Sequence, residues 1–74
     1  MKATFVAIVE NNSLEELMQV SSAFEGKSMI EDLAAKYLNR PLTDEERDDS
    51  EDYLEIQCGE RSFCVIEMMV SDIV

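Results

Sequence analysis

The chain has 74 residues, 17 of them acidic and 6 basic, with no histidine, for a net charge of −11. That length allows a single domain, residues 1–74, with one modest core, because a chain of this size buries only about 60% of its extended surface on folding. The charge argues against nucleic acid or an anionic membrane as a direct partner, since phosphate attraction is missing, while an apolar content of 46% argues against wholesale disorder.

Residues Ala3 to Val9 are short, β-branched and nearly all apolar. They read as a buried, central strand beside which a later strand pairs. Glu10, Asn11 and Asn12 end the run, which is too short for a signal peptide or a membrane span. The expected location is therefore the cytoplasm, with Cys58 and Cys64 as reduced thiols.

Ser13 and Glu16 have capping-box spacing ahead of an apolar period of Leu14, Leu17, Met18 and Phe24. The pattern predicts a first helix, stopped at Gly26. Ser28 and Glu31 repeat the box. Ile30, Leu33, Ala34, Tyr37 and Leu38 then follow helical spacing up to Pro41, which predicts a second helix. Thr43 and Glu46 form a third box, opening either a short acidic helix or a solvated loop over residues 42–52.

From Tyr53 to Cys58 apolar and polar residues alternate. Gly59-Glu60 suits a two-residue hairpin turn, and residues 62–70 return as a strand apolar on both faces. Such a strand is either central or covered by a partner. The fold expected is α+β, a small antiparallel or mixed three-stranded sheet with two helices on one face. The expected order is β-α-α, then the acidic segment, then β-β.

The residues of familiar catalytic centres are missing. Without histidine there is no Ser-His, Cys-His or His-metal arrangement, and two separated glycines make no phosphate-binding loop. Cys58 and Cys64 could meet across the hairpin, but their apolar strands and the single nearby cation, Arg61, fit core cysteines better than reactive ones. The expectation is a protein that is not an enzyme and takes no cofactor and no metal. The acidic residues lack the glycine and spacing of a calcium loop.

Asp44, Glu45, Glu46, Asp48, Asp49, Glu51 and Asp52 put seven acids in nine residues. Such a run serves either as a solvated connector or as a binding surface for a basic protein. As a helix it spans about 13 Å, one charge per about 2 Å. B-form DNA carries one per about 1.7 Å of axis. Glu15, Glu16, Glu25, Glu31 and Asp32 could extend the negative face. Neutralising Asp48, Asp49, Glu51 and Asp52 is then expected to abolish binding and spare the fold.

In size, acidity, strand-helix-strand layout and the run from Thr43 to Asp52, the chain resembles the small phage-encoded anti-defence proteins, among them anti-CRISPR and anti-restriction inhibitors. That resemblance implies a phage protein acting in the host bacterial cytoplasm. It would block a nucleic-acid-binding complex by presenting carboxylates where phosphates belong. The competing expectation is an adaptor or regulatory subunit that binds through the apolar C-terminal strand and tail, Met68, Met69, Val70, Ile73 and Val74. Ordinary core is the plainer reading of Met68 to Val70, and a homodimer through the same edge is a further alternative.

Overall fold

The computed structural model describes residues 2–69. Six elements follow in chain order: β1 (Lys2–Glu10), β2 (Ser13–Val20), α1 (Ala23–Leu38), α2 (Asp44–Tyr53), β3 (Glu55–Cys58) and β4 (Arg61–Met69). The strands form one antiparallel sheet in the order β2-β1-β4-β3. The class is α+β as expected, but the sheet has four strands, and the order is β-β-α-α-β-β.

The difference lies in residues 13–20. Their sequence, Ser-Leu-Glu-Glu-Leu-Met-Gln-Val, is rich in strong helix formers, yet they form an edge strand. Two causes act together. Asn11 and Asn12 both take positive φ, 52° and 65°, which is the backbone of a tight two-residue hairpin turn that asparagine tolerates. The turn then lays residues 13–20 along the free edge of β1, where pairing from Thr4 with Val20 to Glu10 with Ser13 satisfies the β1 backbone. A register shift beside Ile8 and Val9 accommodates one extra residue in β2.

Helix α1 consequently starts late. Ser22 is its cap and accepts the Glu25 backbone N–H, at 3.1 Å. Gly26, expected as a stop, lies buried in the first turns of the helix. A Cβ there would sit 2.9 Å from a Val65 methyl and 3.4 Å from Val20, so the missing side chain lets α1 approach the sheet. The helix ends at Asn39 in the left-handed conformation, whose N–H reaches back to the last carbonyls. The separate helix start at Ser28 is absent because residues 23–38 are continuous.

Ile30 and Ala34, fully buried, drive α1 into a core built with Val6, Ile8, Val20, Ile56, Cys58 and Phe63. The expected stripe of Ile30, Leu33, Ala34 and Leu38 thus packs as a unit, while Tyr37 leans edge-on against Phe63 at 6.0 Å. Arg61 lies 5.1 Å from the Tyr37 ring centre and pairs with Glu10 across the strands at 2.8 Å. Leu14, Leu17 and Phe24, expected as a helical stripe, are exposed instead.

The β3–β4 hairpin turns at Gly59-Glu60 as expected, with φ of +64° at Gly59. Its turn is tied to the first hairpin by the Asn11 N–H, which donates to the Glu60 carbonyl at 3.0 Å. Ile56 and Cys58 point into the core, whereas Glu55 and Gln57 point away. Strand β4 lies between β1 and β3, so it is internal to the sheet. Even so, Met68 and Met69 are exposed, which corrects the reading of them as core. Val70, Ile73 and Val74 lie outside the described residues. No described helix is long and apolar enough to cross a membrane.

Candidate functional site

The acidic segment is a helix rather than a loop, and its start shows why. The Thr43 hydroxyl accepts the Glu46 backbone N–H at 3.1 Å, while Glu46 Oε1 accepts the Thr43 N–H at 2.8 Å. This capping box satisfies two donors that would otherwise be orphaned at the helix start. Arg40 then donates both guanidinium nitrogens to the two Glu46 oxygens, at 2.9 and 3.0 Å. The Arg40 pair and the Thr43 N–H hold the Glu46 carboxyl down at about 2, well below the usual carboxylate range. Glu46 is therefore a structural residue that fixes where α2 begins.

Glu51 is also engaged. Lys27 of α1 bridges Glu31, at 3.1 Å, and Glu51, at 3.3 Å, and so links the two helices. An open groove of about 590 Å³ runs between the helices around this bridge, with Asp32, Arg47 and Asp48 on its walls. Ser50 is the only fully buried side chain of α2.

The other five candidate acids form a row. Residues step by about 100° around a helix, so Asp44, Glu45, Asp48, Asp49 and Asp52 share one stripe about 140° wide, opposite Ser50. All five are exposed and make no ion pair or hydrogen bond among the described residues. They span about 12 Å of helix axis, one carboxylate per about 3 Å. That interval is close to the roughly 3.4 Å of axis per phosphate along one DNA strand.

The stripe is also unfavourable to the helix that carries it. Asp44–Asp48, Glu45–Asp49 and Asp48–Asp52 are like-charge pairs at i,i+4, each destabilising by about 0.2–0.5 kcal/mol. The first turn does hold Asp44, Glu45 and Glu46, which suit the positive end of the helix dipole. The last turn has no basic residue, so Asp52 meets the negative end uncompensated. Of the proposed extensions, Asp32 and Glu31 line the groove beside Asp48. Glu15 and Glu16 sit on β2, at the opposite edge of the sheet from β3, against which α2 packs.

The cysteines do not meet. Cys58 pairs with Arg61 and Cys64 with Glu55 across the hairpin, and alternation puts the two side chains on opposite faces of the sheet. Burial pushes both thiols up, away from the reactive thiolate form. Arg61, the nearby cation, is committed to Glu10. Among the described residues, no three or more cysteine or acidic side chains are placed to hold a metal ion. No protein family, curated protein or solved structure matches this chain.

Proposed function

We propose that the protein is a non-enzymatic acidic inhibitor that occupies a basic, nucleic-acid-binding surface of another protein through the outer face of α2. The row of Asp44, Glu45, Asp48, Asp49 and Asp52 carries this reading: five free carboxylates spaced like phosphates on a helix that would be more stable without several of them. Charge kept against stability fits selection for binding. Glu46 and Glu51 support the row indirectly, by fixing the helix start and tying α2 to α1. Inhibition works by occupancy, with carboxylates in place of phosphates and no bond made or broken. Association is fast and weakens steeply with salt.

The test is a pull-down from bacterial lysate containing CRISPR and restriction complexes, with the wild type and a D48N/D49N/D52N variant side by side. The expected result is one nucleic-acid-binding complex, released by salt or competing DNA and absent from the variant. Equal capture by both forms contradicts the proposal. A second reading, an adaptor that binds through apolar β4, rests on the exposure of Met68 and Met69. It predicts capture that resists salt.

A further inference from the structure

The sheet has two faces, and among the described residues only one is covered by helix. The face away from α1 carries Phe5, Ala7 and Val9 of β1, Leu17 of β2, and Cys64, Ile66 and Met68 of β4, as the pairings Phe5–Ile66, Ala7–Cys64 and Ala7–Leu17 place them. Leu17 is 41% exposed and Met68 38% exposed, while Ala7 is shielded at 3% by its larger neighbours. Charge is nearly absent from this surface. Of the acids in the described strands, Glu55 alternates onto its β3 margin and Glu15 lies at the β2 bulge on its opposite margin. Lys2, Glu10, Arg61 and Glu67 all alternate to the other face, where Lys2 pairs with Glu67 and Arg61 with Glu10.

We infer that this open sheet face is a homodimer interface, covered by the same face of a second copy of the chain. Monomers rarely leave a contiguous apolar patch of more than a few hundred Å² in water. Three strands of about 30 Å by 14 Å give a flat footprint of roughly 400 Å² per copy. Side-chain relief brings the two copies together to roughly 1,000–1,200 Å², at the threshold of a specific interface.

Charge selects the occupant. A basic partner finds carboxylates only at the margins of this face, Glu55 and Asp49 on the β3 side and Glu15 at the β2 bulge. A second copy instead meets a matching uncharged surface, and the shared sheet twist lets the two sheets pack aligned. The acids of both copies stay at the rim or on the helices, so repulsion weakens the dimer without entering it. Small domains with one modest core gain stability in this way. The interface does not use the α2 stripe, although Asp49 borders its β3 margin, and it has the opposite response to salt: screening rim repulsion tightens the dimer and loosens an electrostatic partner.

The experiment is sedimentation of the full chain from 1 to 300 µM at low and high salt, alongside L17E. Maleimide labelling of Cys64, which lies on the face, is followed at the same concentrations. The expected wild type shifts from 8.4 kDa to twice that mass, with a midpoint in the micromolar range that falls as salt rises. Cys64 labelling should slow at least fivefold in the dimer, and L17E, a change at an exposed position, should stay monomeric and folded by circular dichroism. A chain that is monomeric at 300 µM overturns the inference. So does a dimer that survives L17E, or one in which Cys64 labels as fast as in the monomer, the mark of pairing through the β2 edge.

Discussion

Helix α1 buries Gly26, Ile30 and Ala34 against the sheet, whereas α2 buries only Ser50. The first helix is held by packing, the second by its ends: the Thr43–Glu46 box, the Arg40 fork on Glu46 and the Lys27 bridge to Glu51. An apolar stripe commits a helix face to the core. End-fixing needs no apolar stripe, so the outer face of α2, about 140° wide, can carry charge that packing would forbid. The contrast ties stability to α1 and recognition to α2, and substitutions can separate the two.

The largest effect belongs to α1. Ile30→Ala removes a fully buried side chain from the centre of the core and is expected to cost about 2–5 kcal/mol, read from urea unfolding. A cost under about 1 kcal/mol would mean that α1 does not anchor the domain. Next comes Glu46→Gln, which keeps part of the capping box and loses the Arg40 ion pair. It is expected to cost about 1–2 kcal/mol. The sign with pH follows from the lowered carboxyl. Its contribution is fully present above about 4.5 and is lost as pH falls through about 2. The stability gap between wild type and Glu46→Gln should therefore close across that window, and a gap unchanged at pH 2 would show that the ion pair contributes nothing.

The smallest effect has the opposite sign. D48N/D49N/D52N removes the three like-charge i,i+4 contacts of the stripe and the acid nearest the C-terminal end of α2. It is expected to raise stability by about 0.5–1 kcal/mol. Lower stability in thermal unfolding would mean that these acids hold the helix, and the argument that their charge is kept for binding would fail.

Much of this division was legible in the sequence. The central strand over Ala3 to Val9, the Ile30–Leu38 stripe, the Thr43–Glu46 box and the Gly59 hairpin are all local signals that the fold keeps, although only Val6, Ala7 and Ile8 of that strand are buried. Residues 13–20 were not, because Leu, Glu, Met and Gln favour helix intrinsically and their strand state comes from pairing with a distant edge. The local signal for that strand is Asn11-Asn12, two adjacent residues that tolerate positive φ between apolar runs. Gly26 misled for a related reason: its lack of a side chain serves close packing on Val65 rather than a helix end, and spacing along the chain does not reveal that contact. The acidic candidates were found as a block. Their partition into five free carboxylates and two structural ones depends on Arg40 and Lys27, whose reach across the turn and between helices shows only in three dimensions.

The most direct test is displacement. A labelled DNA duplex is bound to the nucleic-acid-binding complex captured by the wild type, and the protein is titrated in at low and high salt. If the α2 stripe occupies the DNA surface, the wild type releases the duplex competitively, its own direct affinity for the complex falls tenfold or more on raising salt, and D48N/D49N/D52N releases little at either salt. Duplex that stays bound while the protein is also bound would contradict occupancy of the DNA surface by the α2 stripe.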